Sequence, residues 1–281
     1  SRGSAPENFR EISLERKFAV MKKILTALLA LLALVMALSL SACGGGSGDL
    51  TVEKGKLHMS TNAEFPPYEM VKGDGGFEGI DVEVAGLIAE KLGLELVVDD
   101  MGFTAALEAV QNGRSDIAMA GITVNEDRLA NMDFTDSYAT GVQVVIIKAD
   151  SPAVQSIDDL ASAALIGTQE GTTGYIYCSY PPEEGGYGED HVVAYETGAV
   201  AVQALLAGQV DCVVIDNQPA QEYVKANPGL EILDTEFAVE DYAIAVKKGN
   251  TQLLEQVNKA LGELIADGSV QKVVDKYITA G

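Results

Sequence analysis

One local phrase occurs twice in this chain. From Leu107 a helical pattern runs to Gly113, followed by two residues, Asp116, an apolar strand and Gly121. From Val200 a second helical pattern runs to Gly208, followed by two residues, Asp211, the apolar strand Cys212 to Ile215, and Asp216. In both copies the eighth residue after the helix-stopping glycine falls where the strand ends. A helix with one apolar stripe must bury it, and a neighbouring sheet is the usual partner. Two copies therefore imply two similar α/β lobes. In open α/β sheets ligands lie outside the carboxyl ends of the strands, so Gly121 and Asp216 fall at equivalent mouths.

The rest of the pattern agrees. Leu57 to Ser60 reads as a strand. Asp81 is placed to cap a helix with Val84, Leu87, Ile88 and Leu92 on one face, ending at Gly93. Leu94 to Val98 reads as a strand, Thr104 opens a helix through Ala106, Leu107 and Val110, and Asp116 to Ala120 reads as a strand. This βαβαβ rhythm predicts mostly parallel sheets flanked by helices. Val144 to Ile147 is expected to leave the first lobe and Asp241 to Val246 to return to it, two short crossings that form a hinge. Helices at Gln252 to Ile265 and Val270 to Ile278 then complete the first lobe. The expected division is 57–138 plus 241–281 for lobe one and 139–240 for lobe two.

The N-terminal region reads as targeting rather than fold. Residues 1–20 are expected to be a non-native or misassigned extension. Met21, Lys22-Lys23 and the apolar run Ile24 to Leu38 read as a signal peptide over 21–43. Leu40-Ser41-Ala42-Cys43 looks like a lipobox, with Cys43 as the lipidated residue and 44–56 as a flexible tether. An uncleaved membrane anchor is the alternative, since the apolar run is nearly long enough to span. The lipobox reading places the protein outside the cell membrane, held there by lipid on Cys43.

Charge excludes one class of partner. The chain carries a formal net charge of −23. Six of its 19 basic and three of its 42 acidic residues lie in 1–43, leaving 13 against 39 in residues 44–281, a net of −26. Such a surface repels phosphate backbones, so no nucleic-acid partner is expected. With Cys43 set aside, two Cys and two well-separated His make no ligand cluster, so no metal is expected, and no cofactor. Cys178 and Cys212 leave one disulfide open as a possibility.

Within this acidic chain Arg128 is nearly alone. Arg114 is the only basic residue between it and Lys91, Lys148 is the next after it, and Ala149 to Val224 contains no Lys or Arg. A surface pair with Glu126 or Asp127 is the ordinary explanation. A guanidinium is also the side chain best built to hold a carboxylate bidentately. An α-amino acid carries a carboxylate and an ammonium on one carbon, and Arg128 and Asp216 match those two ends. Asp216 has a second reading as the cap of a helix from Gln218 to Asn227. Thr123 adds a hydroxyl and an N–H. Gly171-Thr172-Thr173-Gly174 follows the strand Leu165 to Thr168, placing N–H groups and two hydroxyls at a helix start, where Thr172 also reads as an N-cap. Phe65 and Phe103 are expected in loops after strands, as aromatic walls or as core.

With these residues in view, 57–281 resembles the extracellular solute-binding proteins of polar amino-acid ABC importers, of the glutamine-, histidine- and lysine/arginine-binding kind. The resemblance rests on Asn62-Ala63-Glu64-Phe65-Pro66-Pro67-Tyr68-Glu69, Gly79-Ile80-Asp81-Val82-Glu83, Ala120-Gly121-Ile122-Thr123 with Arg128, Gly171-Thr172-Thr173-Gly174 and Asp216-Asn217-Gln218-Pro219-Ala220. It implies a two-lobed periplasmic-binding-protein type II fold. It also implies that Arg128, Thr123 and Thr172 hold the ligand carboxylate, that Asp216 and the Gly121 carbonyl take the ammonium, and that Phe65 and Phe103 are walls. Ala120 and Thr173 belong to the same ligand-binding set. Asn62 stands where relatives often have an acid, and Gln169 where the glutamine-binding pattern has a Lys. The implied ligand is a cationic or neutral polar amino acid such as arginine, lysine, histidine, glutamine or cystine. The implied partners are an ABC permease and its ATPase subunit, with the binding protein a monomer. The alternatives are an amino-acid sensor, which would need an output domain beyond 281, and a dehydratase-like enzyme. No nucleophile–base constellation is visible for the latter.

Overall fold

The computed structural model describes residues 50–150, 153–162, 165–234 and 236–278. The expected extension 1–20, the signal peptide 21–43 with Cys43, and the tether up to residue 49 lie outside the described residues. The later part of the expected tether lies against the fold. Thr51 is buried, and the Val52 N–H donates to the Asp116 carboxylate at 2.7 Å.

The repeated phrase has one stereochemical basis in both copies. Gly113 and Gly208 take left-handed φ angles of +69° and +74°. The next N–H then reaches back to close the helix end, Arg114 to the Ala109 carbonyl at 2.8 Å and Gln209 to the Ala204 carbonyl at 2.9 Å. The aspartate that follows pairs reciprocally with the neighbouring strand. Asp116 donates its N–H to the His58 carbonyl at 2.9 Å and accepts the His58 N–H at 2.7 Å. Asp211 does the same with Leu165, at 2.9 Å and 3.1 Å. The glycine thus ends the helix and the aspartate sets the register of the strand it enters.

Strands β1 (Lys56–Thr61), β5 (Glu95–Asp100) and β6 (Ile117–Ala118) form one parallel group, with helices α1 (Ile80–Leu92) and α2 (Phe103–Gln111) between them in sequence. Strands β8 (Ile166–Gln169), β9 (Val192–Tyr195) and β10 (Cys212–Asp216) form a second parallel group, with α4 (Thr173–Ser179) and α5 (Gly198–Ala207). Between them run β7 (Met132–Lys148) and β12 (Ala238–Lys247), antiparallel to each other. The sheet order is β5-β1-β6-β12-β7-β10-β8-β9, with β11 (Leu230–Ile232) on β7. A small antiparallel sheet of β2 (Glu64–Phe65), β3 (Glu69–Val71) and β4 (Phe77–Glu78) stands apart. The remaining helices are α3 (Glu126–Asn131), α6 (Asn217–Ala226), α7 (Thr251–Ala266) and α8 (Ser269–Tyr277). This is a two-lobed α/β fold.

Several expectations need correction. The two crossings are not short: β7 spans 17 residues and β12 spans ten, so they run through both groups as one paired ribbon. The strand expected over Asp116 to Ala120 is only Ile117–Ala118, because Gly121 turns out of the ladder at φ +53°. Asp81 does not cap α1. Gly79 holds the cap position, and Asp81 is fully buried in the first turn. Neither expected loop phenylalanine is in a loop: Phe65 ends the short strand Glu64–Phe65, and Phe103 is the first residue of α2. Cys178 and Cys212 are free thiols in one apolar cluster with Val145, Leu160 and Ile166, and burial pushes the Cys178 thiol up to about 12.

Candidate functional site

Arg128 lies on α3, a six-residue helix whose start is fixed by Asn125. The Asn125 side chain accepts the Arg128 N–H at 2.8 Å. The guanidinium turns inward and is 6% exposed. It donates to the Thr123 carbonyl at 2.7 Å and to the Gly171 carbonyl at 3.2 Å. These two bonds aim the fork and join the first parallel group to the second. Phe103 covers one face, its ring centre 5.4 Å from the guanidinium carbon. The surface pair with Glu126 or Asp127 does not form among the described residues. Burial pulls the guanidinium's ionisation down, and the charges of Glu240 and Asp216 oppose that.

Asp216 ends β10 and is 7% exposed. It occupies the cap position of α6, yet its side chain makes no capping bond. The carboxylate instead accepts the Tyr242 hydroxyl. Burial is the largest influence on it and pushes it up to about 7, with Tyr242 acting in the opposite direction. Thr172 does cap α4. Its hydroxyl accepts the Tyr175 N–H at 3.4 Å and donates to the Gln169 carbonyl at 2.8 Å. With seven residues α4 is short. Positive charge in the cavity therefore comes from Arg128.

One cavity collects these groups. Asn62, Phe65, Phe103, Ala120, Gly121, Thr123, Arg128, Gln169, Thr172, Thr173 and Asp216 all line it. Its far wall is closed by an amide pair, in which Gln169 donates to the Asn62 side-chain oxygen at 2.8 Å and to the Glu196 carbonyl at 3.2 Å. Phe65 stacks on Tyr68 at 5.9 Å, and Tyr68 meets Tyr242 edge-on at 5.2 Å. An aromatic chain thus runs from the cavity wall to the hydroxyl that holds Asp216. Gly121 is required where it stands. Its φ is +53°, and a β-carbon there would meet the Phe65 ring at 2.8 Å.

Sequence reasoning did not assign the acids behind this surface. Glu69 also lines the cavity, is fully buried, and has no partner for either oxygen among the described residues. Burial, then the neighbouring Asp81, pushes it well above the usual carboxylate range. Asp81 accepts the Gly121 N–H at 3.0 Å and the Tyr138 hydroxyl at 2.7 Å, so it fixes the Gly121 turn from below. Burial raises it to about 6. The sequence signal was present in Tyr68-Glu69 and Ile80-Asp81, acids directly beside apolar residues, but it is equally the signal of a turn and of a helix cap.

The cavity thus presents a buried cation and a buried carboxylate with aromatic rings beside them. That arrangement is complementary in charge to a small zwitterion, and no metal-ligand cluster occurs among the described residues. Comparison with known proteins agrees. Residues 57–280 match the family model of bacterial extracellular solute-binding proteins, family 3. A probable histidine-binding protein of Neisseria gonorrhoeae is 33% identical over 92% of this chain and 96% of its own length. The arginine-binding extracellular protein ArtP of Bacillus subtilis is 32% identical over 90% of this chain and 97% of its own. Among solved structures, an ancestral arginine-binding protein bound to arginine superposes with a TM-score of 0.74 at 36% identity, covering 80% of this chain and 99% of that one. An ancestral amino-acid-binding protein that is a precursor of cyclohexadienyl dehydratase superposes at 0.71 with 28% identity, covering 79% and 95%. The chain belongs to the bacterial extracellular solute-binding proteins of family 3.

Proposed function

We propose that this protein captures a polar L-amino acid, cationic or neutral, between its two lobes and delivers it to a membrane permease driven by a separate ATPase subunit. The observation that carries the reading is the pair of opposite buried charges in one cavity, Arg128 for the ligand carboxylate and Asp216 for its ammonium. Relatives named for histidine, arginine, cystine and glutamine support that ligand range. The lobes are 57–138 with 241–281 and 139–240, and β7 and β12 form the hinge. The ligand bridges them and stabilises the closed form by its differential affinity. Lipid on Cys43 holds the monomer at the outer membrane face.

The proposed role is binding without catalysis. His58 pairs with Asp99 at 2.8 Å and with Glu53 at 3.3 Å, and neither it nor the two buried thiols lines the cavity. A thermal-shift screen of the common amino acids, followed by calorimetry of the hits, tests the reading. Stabilisation by at least one of arginine, lysine, histidine, glutamine and cystine is expected. Far tighter binding of aspartate or glutamate would overturn the ligand class, and chemical conversion of a bound amino acid would overturn the non-catalytic role.

A further inference from the structure

We propose that Glu240 is a clasp of the closed cleft, a positioning residue that sets affinity for every ligand without touching one. Glu240 lies on β12 and is buried. It is not among the residues that line the cavity. Its Oε2 accepts three hydrogen bonds, from the Thr123 hydroxyl at 3.1 Å, the Thr173 hydroxyl at 2.9 Å and the Gln143 amide at 3.0 Å. Its Oε1 is buried with no partner among the described residues. Tyr177 lies against the same carboxylate and Arg128 feels its charge.

Two consequences follow from the donor count. A hydroxyl has one hydrogen. Thr123 and Thr173 both commit theirs to Glu240, so at the cavity they offer backbone N–H groups while Arg128 supplies the charge. The second consequence concerns motion and rests on the two-lobed reading above. Thr123 precedes α3 in the first lobe, Thr173 opens α4 in the second, and Gln143 lies on the ribbon between them. When the lobes separate, one oxygen cannot keep bonds to both threonines. The charge-assisted pair of hydroxyl bonds therefore exists only in the closed form, and it favours that form for any ligand alike. A residue that reads the ligand side chain would change affinities unequally.

Calorimetry of wild type, Glu240→Gln and Glu240→Ala with L-arginine, L-histidine and L-glutamine, alongside ligand-free melting, tests this. Glu240→Ala is expected to weaken every ligand that binds wild type by one common factor of about tenfold. Glu240→Gln is expected to lose less, with ligand ranking and ligand-free melting temperature unchanged in both. Unchanged affinity, a loss differing more than threefold between ligands, or a parallel fall in ligand-free melting temperature would overturn the clasp. If no amino acid binds wild type, the functional reading itself fails. The clasp, which rests on that reading, then falls with it.

Discussion

Tyr242 reaches across a whole strand to hold Asp216. The tyrosine is on β12 and the aspartate ends β10, with β7 between them. The path exists because β7 carries glycine at position 141, where a β-carbon would collide with the Tyr242 ring and hydroxyl. The acid in the cavity is therefore oriented by the ribbon proposed above as the hinge. Gly141→Ala should displace the ring, destabilise the protein by about 1–3 kcal/mol and weaken amino-acid binding. Urea unfolding and calorimetry on the same variant check both effects, and a fully stable, fully binding Gly141→Ala protein contradicts the arrangement.

Ligand affinity should depend on pH through Asp216. Burial raises this acid to about 7 in the folded protein, so it is partly protonated at neutral pH. An ammonium binds the charged form. Affinity should accordingly tighten as pH rises towards 8 and weaken about tenfold for each unit below 7. Asp81, raised to about 6, titrates in the same window, so Asp216→Asn is the control that isolates the effect. That variant should bind weakly with little slope. Tyr242→Phe should move the slope to higher pH, because the tyrosine hydrogen bond holds Asp216 down. Calorimetry between pH 5.5 and 8.5 measures this, and a flat wild-type profile argues against Asp216 as the ammonium partner.

Arg128 should resist conservative replacement. Its fork donates to carbonyls on either side of the cavity, Thr123 and Gly171, while stacking on Phe103. A lysine supplies the charge but not the planar fork. Arg128→Ala should lose at least tenfold in affinity, and Arg128→Lys should recover only part of that loss. Full recovery by lysine would mean that charge alone is sufficient.

The cavity lining was more legible than what supports it. Asp216 and Thr172 stand at element ends and Arg128 on a helix of only six residues, where glycine, cap residues and isolated charges punctuate a sequence. Glu240, Tyr242 and Gln143 lie inside long strands. There an acid or amide beside apolar residues reads as the solvent-facing half of an alternation. Their burial comes from partners distant in sequence, such as Thr123 for Glu240 and Asp216 for Tyr242. No local pattern encodes such partners. The full length of the β7–β12 ribbon was missed for the same reason, since its pairing joins residues about a hundred positions apart, such as Gln143 with Ala238 and Met132 with Lys247.

Stability should rise on mild acidification through Asp81. Its folded-state value of about 6 lies above the ordinary 3.8, so between these values the folded protein holds more protons than the unfolded chain. Stability from this group is greatest below about 4, falls as pH rises to about 6, and stays reduced above that. The shift corresponds to about 3 kcal/mol. Glu69, raised in the same direction, adds to the trend. Asp81→Asn keeps an oxygen for the Gly121 N–H or the Tyr138 hydroxyl and has no charge to bury. Its urea midpoint should therefore change less than that of wild type between pH 4 and 7. If the two proteins show the same slope, Asp81 is not a buried ionisable group, and the Gly121 turn does not depend on its protonation.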